Sequence, residues 1–162
     1  MMKDKIVPLE KLQQHAKNLR PSGKKLVATN GCFDLLHVGH VRYLKAARAL
    51  GDALIVGING DRSVRELKGA GRPINSERDR AEIVAALDCV DLVSIFPEPR
   101  AIRFLELVAP DVYVKGGDYN QETLNAEERE VLRKIGAKIE IVPLEQGYST
   151  TDLLNRLSRL AK

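Results

Sequence analysis

Short apolar runs alternate along the chain with longer stretches in which apolar residues recur every three or four positions. The runs are Leu26-Val27-Ala28 within a strand expected over Lys25–Asn30, then Ala53–Ile58, Leu92–Ile95, Val112–Val114 and Lys138–Val142. Ala53–Ile58 has no polar alternation, which predicts a strand covered on both faces, as in a parallel sheet. Between the runs, helical spacing predicts Leu9–Leu19, ended by Pro21-Ser22-Gly23, and Val41–Leu50, closed by Gly51. It also predicts Ser76–Leu87 with Ile83, Val84 and Leu87 on one face, Pro99–Val108 started by its proline, and Ala126–Ile135 closed by Gly136. A final amphipathic helix is expected over Thr150–Leu160, with Ser149 and Asp152 as a capping box. Only Arg62–Ile74 resists the pattern. Its basic residues and glycines predict a mobile loop.

This alternation predicts an α/β protein with a doubly wound parallel sheet. The 162 residues suffice for one core, so the reading is a helical extension over 1–24 and a single domain over 25–162. The net charge of +4 comes from interspersed signs, and aromatics make up only 4% of the residues. No basic stripe with interleaved aromatics emerges, so a small anionic ligand is expected rather than nucleic acid. Cys32 and Cys89 lie far apart with no metal-ligand spacing, so neither a disulfide framework nor a zinc site is suggested, and a reducing cytoplasm fits. The charged Met1–Leu12 stretch reads as no signal peptide, and no apolar run approaches membrane-spanning length.

The candidate chemistry concentrates where the first strand ends, in Gly31-Cys32-Phe33-Asp34-Leu35-Leu36-His37-Val38-Gly39-His40. His37 and His40 enter the first turn of a helix, where unpaired N–H groups and the positive dipole end favour phosphate. Gly39 permits close backbone approach to a nucleotide, while Gly31 and Phe33 shape the bend from which Asp34 points. Asp34 can hold a metal, orient a histidine or anchor the loop. Cys32 reads as a small buried side chain beside the ligand rather than a nucleophile. Two further strand ends carry polar or glycine residues, Asn59-Gly60-Asp61 and Lys115-Gly116-Gly117-Asp118. The GxGxxG and GxxxxGK[ST] patterns are both absent, which disfavours a dinucleotide fold site and a P-loop.

GCFDLLHVGH resembles the signature of the cytidylyltransferase-like nucleotidyltransferases, and the likeness extends through Lys115–Asp118 to Gly147-Tyr148-Ser149-Thr150-Thr151. Within that family the pattern is most similar to the heptose 1-phosphate adenylyltransferase branch, which serves lipopolysaccharide synthesis. The resemblance implies a Rossmann-like fold and transfer of AMP from ATP to a sugar 1-phosphate, with release of pyrophosphate. It implies His37 and His40 at the triphosphate, His40 facing the α-phosphate, and Lys68 near the transferred group with Arg72 on the substrate phosphates. It further implies Gly31, Cys32, Phe33, Asp34, Gly39, Lys115, Gly117, Asp118, Ser149, Thr150 and Thr151 around the nucleotide, Lys115 to Asp118 on its base and ribose side. For Arg62, Arg65 and Arg78 a binding role and a solvated surface charge stay equally open.

Mg²⁺ is expected on the triphosphate oxygens, with no protein metal site. A homodimer and a separate sugar kinase complete the picture. One departure concerns the base: the Arg-Thr-Glu-Gly that precedes STT in cytidylyltransferases is replaced by Leu144-Glu145-Gln146-Gly147, which weakens the case for CTP. The alternatives are a cytidylyltransferase acting on glycerol 3-phosphate or a similar small phosphate, and a nucleotide-binding module without turnover.

Overall fold

A computed structural model describes residues 4–117, 119–120 and 122–161. Five parallel strands form one sheet: β1 (Leu26–Gly31), β2 (Ala53–Asn59), β3 (Leu92–Phe96), β4 (Val112–Gly116) and β5 (Lys138–Val142), in the order β3-β2-β1-β4-β5. The helices are α1 (Leu12–Leu19, after a 3₁₀ turn at Leu9–Lys11), α2 (Val38–Arg48), α3 (Asp61–Lys68), α4 (Glu77–Ala85), α5 (Ile102–Val108), α6 (Ala126–Ile135) and α7 (Thr150–Leu160). The chain winds outward in both directions from β1, so β1 and β4 bound the switch point of a doubly wound, Rossmann-like sheet.

Strand alternation sorts the core into two faces. Leu26 and Ala28 of β1, Ala53 and Ile55 of β2 and Tyr113 of β4 pack with Leu12, Phe104, Leu105 and Leu132 from the α1, α5 and α6 side. Val27, Leu54, Val56, Ile58, Val112 and Val114 pack with Tyr43, Leu44, Ala81 and Val84 from α2 and α4. Thr29 joins the second face to the sheet: its Oγ1 donates to Val114 O at 2.8 Å and lies 2.8 Å from Tyr43 Oη. Residues 4–8 run beside β3, with Val93 N–H donating to Lys5 O and Val7 N–H to Val93 O.

Several boundaries differ from the sequence reading. The expected loop from Arg62 begins as helix α3, because Ser63 and Val64 are buried and the Glu77 carboxylate accepts the Asp61 N–H at 2.8 Å. Gly69 and Gly71, both at positive φ, end the regular structure. Only this short stretch leading to Asn75 is irregular. Helix α2 starts one turn earlier than expected, at Val38, with His37 in the N-cap position, and ends at Arg48 before reaching Gly51. Pro99 does not open α5, whose first turn begins after Ala101; the Ala101 N–H donates to Glu128 Oε1 at 3.1 Å. On α4, Ile83 is exposed and the inward face is Arg80, Ala81 and Val84.

Arg80 is fully buried, and its guanidinium ties three segments together. It donates to Cys32 O at 2.6 Å, Asp61 Oδ1 at 2.8 Å and Asn75 O at 3.1 Å. Replacing Arg80 with leucine leaves those acceptors without their donors. Because Asp61 remains one-third open to water, the expected loss is roughly 2 to 3 kcal/mol, below that for a fully buried pair. Urea unfolding measures it; a loss under about 0.5 kcal/mol, the range of an ordinary surface substitution, would contradict the structural role.

Candidate active site

A cleft of about 940 Å³ opens at the carboxyl ends of β1 and β4, where the two halves of the sheet part. The loop after β1 forms one rim. Phe33 holds a left-handed backbone at φ 47°, a conformation costing about 1 kcal/mol for a non-glycine residue. Its ring lies across Gly31, where an added Cβ would stand 2.9 Å from Phe33 Cε2, and meets the His40 ring at 5.5 Å between centroids. Glycine at 31 is therefore what lets the ring fold back. Gly39 acts similarly: a Cβ there would lie 2.9 Å from His37 Nδ1 and 3.0 Å from Tyr148 Cβ.

His37 and His40 lie with ring centroids 3.9 Å apart. The His37 backbone N–H donates to His40 Nδ1 at 3.3 Å, which leaves the proton of neutral His40 on Nε2. Burial, reinforced by His37, pushes the His40 pKa down to about 4, and burial lowers that of His37 as well. His37 Nδ1 is buried without a hydrogen-bond partner. At neutral pH the pair thus offers uncharged N–H donors, poised to gain charge when an anion arrives.

Asp34 is almost completely buried and holds the segment that follows α3. Its carboxylate accepts from Arg72 Nε at 2.8 Å, from Ile74 N–H at 2.9 Å and from Asn75 N–H at 2.9 Å. Burial raises the Asp34 pKa, but these N–H groups and the Arg72 charge outweigh it and hold the carboxyl below the ordinary range. Of the roles open to Asp34, anchoring is the one its hydrogen bonds serve. Lys68, on the last turn of α3, and Arg72 reach the same cleft. Burial raises the Cys32 pKa, against the opposing pull of Lys68, Arg80 and Arg72, so the side chain is a thiol at neutral pH.

The opposite rim is the start of α7. Ser149 Oγ accepts the Asp152 N–H at 3.0 Å, forming the expected cap, and Thr150 Oγ1 donates to Leu35 O at 3.3 Å. The starts of α2 and α7 therefore meet across one cleft. Gly117 abuts the chain after β5, where an added Cβ would stand 2.6 Å from Leu144 N. All the expected residues except Gly117 and Asp118 line the cleft; Asp118 lies outside the described residues. Arg62, Arg65 and Arg78 do not line it.

Sequence reasoning missed Arg80, Tyr148 and Glu128. An arginine at an inward position of α4 was the available signal for the first. Tyr148 lies 6.3 Å from the His37 ring and 5.7 Å from the Arg42 guanidinium, and Arg42 also pairs with Glu145. Among the described residues no group of three or more His, Cys, Asp or Glu stands close enough to hold a metal, and no helix is long and apolar enough to cross a membrane.

The sequence model of the cytidylyltransferase-like family matches residues 28–156, from the middle of β1 into α7. The chain belongs to that family. It is 50% identical over 153 residues to the bifunctional protein HldE of Geotalea uraniireducens, covering 94% of this chain and 31% of that one. It spans about a third of the length of the curated relatives it matches. The crystal structure of a lipopolysaccharide core biosynthesis protein from Thermoplasma volcanium is similar at TM-score 0.63 and 29% identity, over 78% of this chain and 100% of that one. A pantoate-beta-alanine ligase from Francisella tularensis, solved with an ATP analogue and beta-alanine, shares the fold at TM-score 0.59 and 16% identity, over 97% of this chain and 79% of that one.

The low His40 pKa carries a definite pH consequence. An unfolded histidine titrates near 6.5, so between about pH 6.5 and 4 the unfolded chain takes up the proton first, and His40 subtracts stability as pH falls through that window. In the ligand-free protein, NMR should place the His40 ring titration near pH 4; a midpoint at or above 6.5 would contradict the neutral pair.

Proposed function

We propose that this domain transfers AMP from ATP to a sugar 1-phosphate, D-glycero-D-manno-heptose 1-phosphate being the acceptor, to give ADP-heptose and pyrophosphate. The observation that carries the reading is the convergence in one cleft of two half-buried, neutral histidines at the start of α2, the cations Lys68 and Arg72, and the start of α7. The acceptor comes from the resemblance to the heptose branch, supported by the 50% identity with HldE.

In this mechanism the α2 and α7 starts receive the triphosphate with backbone N–H groups and the hydroxyls of Ser149, Thr150 and Thr151. His40 donates Nε2–H to an α-phosphate oxygen, and the bond strengthens as negative charge develops in the transition state. His37 serves the neighbouring phosphates. Lys68 and Arg72 screen the two anionic substrates from each other, so that the acceptor oxygen can approach α-phosphorus opposite the leaving pyrophosphate. When bound on the triphosphate oxygens, Mg²⁺ would supply charge neutralisation there; among the described residues no group of His, Cys, Asp or Glu forms a cage for it. The base lies toward Gly116, Gly117 and the Leu144–Gly147 lead-in, where backbone groups read adenine without the arginine of the CTP enzymes.

A sugar kinase supplies the acceptor, and the working assembly is a cytoplasmic homodimer. The test is pyrophosphate release from ATP, CTP, GTP and UTP with heptose 1-phosphate. ATP should lead CTP in kcat/KM by roughly ten- to a hundredfold, the effect of one unpaired polar edge. His40→Ala should lower turnover about a hundredfold, near 3 kcal/mol of transition-state stabilisation, with the fold intact. Equal or better use of CTP would overturn the adenylyl assignment, and near-normal turnover in His40→Ala would overturn the role of the histidine.

A further inference from the structure

The cleft has a second lobe on the α5–α6 side of the sheet, away from α2. Strand alternation puts Asn30, Asn59 and Lys115 on that face, in register with the core residues Ala28, Ile55 and Tyr113. They are the last residues on it in the adjacent strands β1, β2 and β4. Beneath them the face is apolar and closed. At the cleft it changes abruptly to two amides and an ammonium, with the buried carboxylate of Glu128 supplied by α6.

The bonding state of these groups shows what they lack. Lys115 Nζ lies 4.9 Å from the Tyr119 ring centroid and 5.9 Å from that of Tyr113, and among the described residues it has neither a carboxylate within 4 Å nor a hydrogen bond. A cation so placed is costly until an oxygen ligand reaches it. Asn59 Nδ2 donates to Ser63 Oγ at 2.9 Å and to Pro99 O at 3.4 Å, so its Oδ1 remains as an acceptor. Asn30 Oδ1 accepts from Tyr113 Oη at 2.6 Å, leaving Nδ2 as a donor. Glu128 uses Oε1 on the Ala101 N–H, and Oε2 makes no hydrogen bond among the described residues.

The charged groups divide the same way: Lys68, Arg72 and Lys115 line one continuous cleft, and the Glu128 carboxylate lines it on the α6 side. A carboxylate repels phosphate but accepts hydroxyl hydrogens. The matching ligand has a phosphate at one end and several hydroxyls at the other.

We propose that Asn30, Asn59, Lys115 and Glu128 form the subsite for the polyhydroxylated body of the phosphorylated acceptor, with Lys115 on a phosphate oxygen and Glu128 and Asn59 on hydroxyls. This rests on the sugar-phosphate reading above, and it moves Lys115 from the nucleotide, where the resemblance put it, to the acceptor. The row's place on the face opposite α2 is the reason: the triphosphate-binding helix starts leave that face to the second substrate.

Calorimetry without turnover tests it. Wild type, Lys115→Met and Glu128→Gln, the last retaining an acceptor for Ala101, are titrated with an α,β-methylene ATP analogue. The analogue-saturated proteins are then titrated with heptose 1-phosphate and with inorganic phosphate. Wild type should bind heptose 1-phosphate more tightly than phosphate. Lys115→Met should weaken both about tenfold, as expected for losing one charge-assisted hydrogen bond. Glu128→Gln should erase most of the preference for the sugar, and analogue affinity should stay within about twofold in both variants, too small a change for a lost contact. Unchanged sugar-phosphate affinity in the variants, an equal loss of analogue affinity, or a wild type that does not prefer the sugar would each overturn the subsite. If these bindings hold while pyrophosphate is never released, the transfer reading fails and the subsite stands; if transfer proceeds but Lys115→Met weakens only the analogue, the reverse is true.

Discussion

Arg80 brings a full charge into the interior at the carboxyl edge of the sheet, and its hydrogen bonds are what make that burial tolerable. Each bond fixes a piece of the site. Cys32 O belongs to the loop that leads to the histidines, Asp61 opens the helix that ends at Lys68, and Asn75 follows the turn that carries Arg72. Asp34 closes the same circuit from the other side by holding Arg72, Ile74 and Asn75. The cleft's cations Lys68 and Arg72 and its histidines are thereby built on one hydrogen-bonded frame. The basic segment after α3 is consequently pinned at one end, with its glycines at 69 and 71 supplying the turns.

Beside those fixed cations the frame holds the two histidines as neutral donors. His40 sits against Phe33 and His37, and burial withholds its proton until an anion makes protonation favourable. Lys115 keeps its charge at a cost, its pKa lowered by burial beside two tyrosine rings. Groups whose charge is costly in the empty cleft gain most from binding an anionic ligand, and least from binding water. In the proposed reading the adjacent strands divide the work by face, phosphates toward α2 and α7, hydroxyls toward α5 and α6.

The sheet and its helices were legible because nearly every element carries a strong period or an uninterrupted apolar run. The loop around His37 and His40 was legible because several unusual residues stand at fixed spacing. Helix α3 was hidden: Ser63 and Val64 are its buried residues, and its N-terminus is completed by Glu77, a distant residue. Ile83 was misplaced because Arg80, a charged residue, occupies the inward position that a purely apolar pattern assigns elsewhere. The polar row of Asn30, Asn59 and Lys115 is invisible in one dimension, since it exists only through the register of three strands. Glu128 carries no sequence signal that separates it from the neighbouring Glu127 on an acidic helix start; its role depends on the bond to the start of α5.

The central claim is that the cleft positions two anionic substrates for direct attack, with Cys32 a bystander thiol. The most direct measurement is the configuration at α-phosphorus when a single diastereomer of ATP bearing sulfur on that phosphorus is transferred to heptose 1-phosphate. One in-line displacement inverts the centre, and inversion is the result expected here. Retention would require two successive displacements through a covalent nucleotidyl-enzyme, and would contradict the account.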